Sequence, residues 1–363
     1  MSDRIRVLVV DDSALMRKLI PQILQRDSSI EVVGTAMDGD FGLKKIQELN
    51  PDVVTLDLEM PRMDGMETLR QMMRKQHLPV IVVSALSTEG ASATFKALAL
   101  GALDFVAKPR DAASSHMDAI AEDLINKIKI ASRSRIRKAA PPFLPDVTKK
   151  EKKASKERRR PAKVVAIGVS TGGPNALQYL LSQLPADFPG SILIVQHMPV
   201  GFTEMFARRL NESCAIEVKE AQSGDLLIAG RALICPGDKH IRVRKMPLAA
   251  TAVLSEEPRV NGHRPSADVL FHSVAAEFGE KSLGVIMTGM GDDGAAGLGE
   301  IKRSGGFTIA QSEDSCVVFG MPKAAIERGH AMRILALETM AAAITGHCNP
   351  DRPKPQETVQ LEM

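Results

Sequence analysis

The sequence predicts an α/β protein: an N-terminal doubly wound sheet of five parallel strands, a flexible basic linker, and a second doubly wound, mainly parallel α/β half. Three observations carry this expectation. Short apolar runs alternate with amphipathic stretches in both halves of the chain, a segment dense in Lys, Arg and Pro divides them, and polar residues stand just after the apolar runs. With 363 residues, 44% hydrophobic and 25% charged, the chain is long enough for two domains that each bury a core. Aromatics are only 3%, so those cores must be built from aliphatics and Met.

In the first half, Val7 to Val10, Val32 and Val33, Val53 to Leu56, Val80 to Val83 and Leu103 to Val106 are the expected strands. Ser13 to Gln25, Gly39 to Leu49, Gly65 to Arg74 and Glu89 to Leu100 are the expected helices. This order implies parallel pairing with helices on both faces. From about Ser132 to Lys163 the chain is too charged and too poor in apolar residues to offset the entropy of ordering, which reads as a linker. The alternation resumes with Val164 to Val169, Asn175 to Leu184, Ile192 to Gln196, Phe202 to Asn211, Leu283 to Met287 and Gly297 to Ser304. Between them, Leu226 to Ile228, Ala232 to Ile234 and His240 to Val243 are spaced like short antiparallel strands. No fixed short repeat is present.

The net charge of +3 gives no reason to expect nucleic acid or a membrane surface as the main partner, and the linker lacks the interleaved aromatics of a base-stacking platform. The N-terminus is too short and acidic for a signal peptide, and no stretch is long enough to span a bilayer, so a cytoplasmic protein without membrane insertion is expected. Four cysteines form no CxxC pair and no metal-ligand spacing, consistent with reduced thiols.

Polar residues at strand ends of a doubly wound sheet converge in one crevice. In the first half these are Asp11 and Asp12, Asp57, Ser84 and Lys108. Three carboxylates together repel one another and need a cation, and hard oxygen ligands suit Mg2+. The pattern points to Asp57 as a phosphoryl-accepting nucleophile, with Asp11, Asp12 and Asp57 holding Mg2+ and Ser84 and Lys108 stabilising phosphoryl oxygens. Phe105, inside DFVAKP, is a candidate switch residue that rotates in or out with occupancy. Through VVDDSALMR, LDLEMPRMDG, VVSA and AKP the segment resembles the receiver domains of two-component response regulators, over residues 1–125.

The second half places Ser170 within GVSTGG, His197 within QHM, and Asp292 and Asp293 within TGMGDDG, each after a buried apolar run. G-x-S-x-G marks a nucleophilic serine on a tight strand-to-helix turn. A phosphate-cradling loop is a rival, but neither GxxxxGK[ST] nor the G-x-G-x-x-G fingerprint is present here. A serine hydroxyl needs a base, and His197 is the candidate; His240, His263 and His272 compete, but none directly follows a long buried strand. A carboxylate must then hold the imidazole, and spacing alone does not choose between the two aspartates. The expected oxyanion donors are the main-chain N–H groups of Thr171 and Met290.

IGVSTGGP, QHMPVGFTEMFARRLN, HRPSADVLF, TGMGDDGAAGL and SCVVFGMPKAAIE closely resemble the catalytic domain of the CheB family of chemotaxis protein-glutamate methylesterases, over about residues 162–347. The resemblance implies a triad of Ser170, His197 and Asp293, no cofactor in this domain, and hydrolysis of glutamate γ-methyl esters on chemoreceptors, with deamidation of receptor glutamines in some members. It implies the chemotaxis histidine kinase CheA as phosphoryl donor and a receiver that gates the crevice. The expected layout is a receiver at 1–125, a linker at 126–161, the catalytic domain at 162–347 and a disordered tail at 348–363, acting as a monomer. Two rivals are weaker: a DNA-binding regulator, which lacks a helix-turn-helix output, and a cysteine hydrolase using Cys235 with His240, or Cys316.

Overall fold

The computed structural model describes residues 4–75, 78–85, 87–108, 117–133 and 160–349. Its first half runs β1 (Ile5–Val10), α1 (Ala14–Leu24), β2 (Ile30–Ala36), α2 (Gly39–Leu49), β3 (Val53–Leu56), α3 (Gly65–Lys75), β4 (Val80–Ser84), α4 (Thr88–Leu100), β5 (Asp104–Ala107) and α5 (Met117–Arg133). The strands form one parallel sheet in the order β2-β1-β3-β4-β5. Local chemistry starts the helices where the sequence places them. Ser13 accepts from the Met16 N–H, Asp38 from that of Phe41 and Ser87 from that of Gly90, each relieving an orphan donor of a first turn.

The second half runs β6 (Val164–Val169), α6 (Gly173–Ser182), β7 (Ser191–Gln196), α7 (Phe202–Ser213), β8 (Glu217–Glu220), β9 (Arg231–Ile234), β10 (His240–Lys245), β11 (Ala250–Ser255), α8 (Ala267–Phe278), β12 (Ser282–Ile286), α9 (Ala295–Arg303), β13 (Phe307–Gln311), α10 (Met321–Glu327), β14 (Arg333–Leu335) and α11 (Leu337–Cys348). Seven strands form a parallel sheet in the order β14-β13-β12-β6-β7-β9-β8, and β10 and β11 form a separate antiparallel hairpin. The chain moves outward from β6 through β7 and returns on the other side at β12. The crevice beside the carboxyl ends of β6, β7 and β12 is therefore a topological switch point.

The structure corrects three expectations. The run Ala232 to Ile234 is not part of an antiparallel meander: as β9 it pairs parallel with β7 and β8, because its alternate side chains fill the layers on both faces of the sheet. Leu226 contributes only an isolated antiparallel bridge to Thr251. The receiver does not end at 125, since α5 continues to Arg133 with Ile128 and Ala131 buried in the receiver core. The tail likewise starts later than 348, as Cys348 is the buried last residue of α11. The remaining linker and tail residues, 134–159 and 350–363, and Pro109 lie outside the described residues.

The two halves share one apolar layer. A buried cluster runs without a break from Leu8, Leu56 and Phe95 in the first sheet to Ile167, Phe202 and Phe206 in the second. At the junction Phe105 lies tilted against Phe202 with ring centroids 4.6 Å apart, Phe95 stacks on Phe206 at 5.2 Å, and the Asn175 amide donates to the Leu98 carbonyl at 3.0 Å. The α4 and β5 face of the receiver is thus seated on α6 and α7, the helices that follow β6 and β7.

Candidate active site

Ser170 follows β6 directly, and its turn is fixed on every side. Its N–H donates to the Thr288 carbonyl at 3.0 Å, its carbonyl accepts from Gly173 N–H at 2.8 Å, and the Gln196 amide donates to that same carbonyl at 3.0 Å. Two glycines permit this crowding. Gly172 has φ of +76°, with Val317 where a β-carbon would stand, and a β-carbon on Gly289 would come within 2.7 Å of the Ser170 Cβ. The glycine loop that carries Asp293 thus packs directly against the serine turn. The Thr171 and Met290 N–H groups both border this turn and have no hydrogen-bond partner among the described residues, leaving them available as donors.

His197 follows β7. The register pairs Val169 with Gln196, which sets Ser170 beside His197 at the next step, and the His197 N–H donates to the Val169 carbonyl. Its Nε2 lies 2.9 Å from Asp293 Oδ2, with the imidazole 10% and the carboxylate 0% exposed. No hydrogen bond joins the Ser170 hydroxyl to His197 in this arrangement of side chains.

The choice between the adjacent aspartates is physical. Asp292 is exposed and bonded to Arg328, whereas Asp293 is buried in a cradle of donors. Besides His197 it accepts from Ser266 Oγ at 2.6 Å, Ala267 N–H at 2.7 Å, Asn261 Nδ2 at 3.1 Å and Asp268 N–H at 3.3 Å. Two of these are first-turn amides of α8, whose dipole also favours the negative charge. Burial alone would raise the Asp293 pKa, but His197, Ser266 and Ala267 outweigh it and hold the carboxyl well below the usual range.

Sequence reasoning weighed His263 only as a weaker candidate base and did not single out Asn261, Ser266 and Asp268, although all four lie in or beside the HRPSAD segment. Asp268 accepts from Gly297 N–H at 2.6 Å and Asn261 at 2.7 Å, and burial raises its pKa against those bonds. His263 stacks flat on His197, ring centroids 3.9 Å apart and planes 9° from parallel. Burial, then the neighbouring His197, push its pKa down to about 4. The recoverable signal was a polar run ending in Ser266 at a helix start.

The cysteine alternative fails on geometry. Cys235 is buried, its thiol turned to the Pro236 and Lys239 carbonyls and its pKa pushed up by burial, while His240 faces the Pro258 carbonyl and the Ser266 N–H. Burial likewise pushes Cys316 up to about 12, leaving little thiolate.

The first half gathers its own strand-end residues. Carboxylate oxygens of Asp11, Asp12 and Asp57 lie within 4.8 Å of one another. Lys108 Nζ is 2.7 Å from Asp57 Oδ2 and 3.1 Å from Asp11 Oδ2. Burial raises the Asp57 pKa to about 6 against the pull of Lys108, and burial also raises that of Asp11. Burial would lower Lys108, but Asp57 and Asp11 raise it. The Ser84 hydroxyl donates away from Asp57, to the Gly90 carbonyl at 3.1 Å, and Phe105 is turned inward, 3% exposed.

Fold and sites together define a receiver-type α/β domain joined to an α/β hydrolytic domain. Residues 7–119 match the family described as response regulator receiver domain, and residues 165–344 that described as CheB methylesterase. The chain is 62% identical over 349 residues to the protein-glutamate methylesterase/protein-glutamine glutaminase 2 of Koribacter versatilis, covering 93% of this chain and 94% of that one. It is 46% identical to the protein-glutamate methylesterase/protein-glutamine glutaminase of Salmonella typhi, over 93% of this chain and 95% of that one. The crystal structure of the Thermotoga maritima CheB methylesterase catalytic domain is similar to it, with a TM-score of 0.50 and 39% identity over 50% of this chain and 97% of that one. The chain belongs to the CheB methylesterase family. Among the described residues, no helix is long and apolar enough to cross a membrane.

Proposed function

We propose that this protein hydrolyses γ-methyl esters of glutamates on chemoreceptors, releasing methanol, and deamidates receptor glutamines, under control of phosphorylation at Asp57. The names of its full-length relatives support this reading. The observation that carries it is the buried His197–Asp293 pair, 2.9 Å apart, at the strand end beside Ser170.

In the reaction, His197 accepts the Ser170 proton as the oxygen attacks the ester carbonyl, and the resulting oxyanion is held by the Thr171 and Met290 N–H groups. The imidazolium, steadied by Asp293, then protonates the departing methoxide to methanol, leaving an acyl-serine. Water, deprotonated by His197, cleaves that ester to free glutamate and restores Ser170. An amide substrate follows the same path with ammonia leaving. The active-site chemistry uses only these side chains and main-chain groups, with the protein acting as a monomer in the cytoplasm.

Asp57 is the phosphoryl acceptor, with a histidine kinase of the CheA type as donor. Asp11, Asp12 and Asp57 suit Mg2+: they are an all-oxygen set, and the buried Asp11 Oδ2 has no hydrogen-bond partner although Lys108 lies near it. Bound there, Mg2+ supplies neutralisation of charge on the transferring phosphoryl group. Lys108 and Ser84 bind phosphoryl oxygens, so Ser84 must leave the Gly90 carbonyl. That moves α4 and frees Phe105, loosening the Phe95–Phe105–Phe202–Phe206 contact that seats the receiver next to the site.

The test is methanol release from methylated receptor membranes by wild type, Ser170→Ala and Asp57→Asn, each with and without a small phosphoryl donor. Wild type is expected to accelerate with donor, Asp57→Asn to stay at the basal rate, and Ser170→Ala to lose hydrolysis by at least about 1,000-fold. Retained hydrolysis in Ser170→Ala overturns the nucleophile, and donor stimulation of Asp57→Asn overturns the gate.

A further inference from the structure

The geometry points to Nδ1, not Nε2, of His197 as the atom that takes the proton from Ser170, with His263 as the positioning residue that keeps the ring turned that way. This inference rests on the triad reading above and specifies which face of the histidine does the work.

Three observations converge. First, Nε2 is committed to Asp293 at 2.9 Å, and a carboxylate partner keeps the proton on that nitrogen in the neutral ring. Second, Nδ1 is, with Arg242 Nε, one of two buried side-chain nitrogens among the described residues with no hydrogen-bond partner, an expensive state for a polar atom unless its partner arrives during turnover. Third, the register leaves little choice. Ser170 and His197 each stand one step beyond the paired ends of adjacent parallel strands, whose backbones run about 4.8 Å apart. A partner that close to the histidine backbone is reached by the ring nitrogen nearest the backbone, Nδ1, while the far nitrogen, Nε2, spans outward to the Asp293 loop after β12. The proton therefore passes from Ser170 Oγ to Nδ1, giving an imidazolium with N–H on both nitrogens, and leaves from Nδ1 to the methoxide. The Nε2–H bond to Asp293 persists throughout.

His263 closes the argument. Exchanging the two nitrogens requires the His197 ring to rotate about its Cβ–Cγ bond and sweep out of its plane. A second imidazole lying parallel at 3.9 Å blocks that sweep. Its low pKa, near 4, keeps it neutral, so it clamps the ring without repelling the imidazolium that forms.

The test uses the full-length protein with Nδ-methylhistidine incorporated at 197, assayed for methanol release beside His197→Gln. Blocking Nδ1 is expected to cost about 1,000-fold, as much as removing the base. If His197→Gln is inactive but the Nδ-methyl protein works within about tenfold of wild type, the nitrogen assignment falls while the triad stands. If His197→Gln is itself fully active, the triad reading falls. Because a methyl group can perturb folding, 15N NMR of the unmodified protein gives an independent answer: His197 is expected to carry its proton on Nε2 with Nδ1 bare, and a proton on Nδ1 overturns the assignment. For His263, His263→Phe keeps a flat ring and is expected to retain both rate and tautomer. His263→Ala is expected to lose about tenfold in kcat and to show both His197 tautomers. A single unchanged tautomer in His263→Ala overturns the clamp.

Discussion

The molecule contains two clusters of carboxylates at strand ends of parallel sheets, and they are built to opposite electrostatic ends. In the receiver, Asp57 and Asp11 are buried with one shared cation, Lys108, and burial pushes their pKa values upward. In the catalytic half, Asp293 is buried as well, yet side chains and α8 amides donate to it from several directions and its pKa moves down. Burial is therefore not what distinguishes them. The under-satisfied pair suits the proposed cation and phosphoryl group, and the saturated carboxylate suits the proposed task of holding a histidine.

That contrast can be broken by experiment, and the largest effect should come from the saturated site. Asp293→Asn is expected to lower kcat for methyl-ester hydrolysis by about 10,000-fold, because the amide cannot stabilise the imidazolium; a loss under tenfold in a methanol-release assay would remove Asp293 from its role. Next comes the receiver contact. Phe105→Ala loses about 3–5 kcal/mol of packing, and if about 1.4 kcal/mol of that falls on the domain contact, the separated population rises about tenfold. The unphosphorylated rate should rise accordingly and donor stimulation shrink, whereas an unchanged basal rate would show that the aromatic contact does not restrain the site.

A smaller effect concerns acid. The folded-state pKa of His263 lies near 4, below its ordinary 6.5, so in that window the unfolded chain binds the proton and the folded one does not. Stability should fall as pH drops from 6.5 and the loss should be complete below about 4, on the order of 3 kcal/mol, readable from urea unfolding at fixed pH. His263→Phe should flatten that part of the profile, and an equally steep profile in the variant would assign the acid sensitivity elsewhere. Smallest of all, Cys316→Ala should leave turnover within about twofold, since a thiol with its pKa near 12 is chemically idle.

Most of the fold was legible because apolar runs of strand length alternate with amphipathic helices, and the polar residues stand where those strands end. Val53–Leu56, Gly39–Leu49 and Val164–Val169 fall where the pattern puts them. Lost to the pattern were features decided by distant partners. The parallel pairing of Arg231–Ile234 depends on which sheet receives it, and α5 reaches Arg133 because Ile128 and Ala131 find the receiver core despite a basic local composition. The site was legible as three motifs, but Asp292 and Asp293 are adjacent in sequence and differ only in what surrounds them. Asn261 and Ser266 reach the carboxylate, and His263 the imidazole it holds, through the packing of α8 against α9 and β12, which no periodicity encodes.

The uninterrupted apolar layer from Leu8 to Phe206 has a consequence for the thermodynamics of signalling. When two domains own separate interiors, each melts on its own schedule and a signal in one is easily absorbed by local loosening. Here part of one domain's interior is completed by the other, so the resting protein behaves as a larger cooperative unit than either half. If phosphorylation opens the crevice as proposed, it also changes the size of the unit that folds together, and the energy spent on parting the halves would set the ceiling on how strongly the switch can amplify.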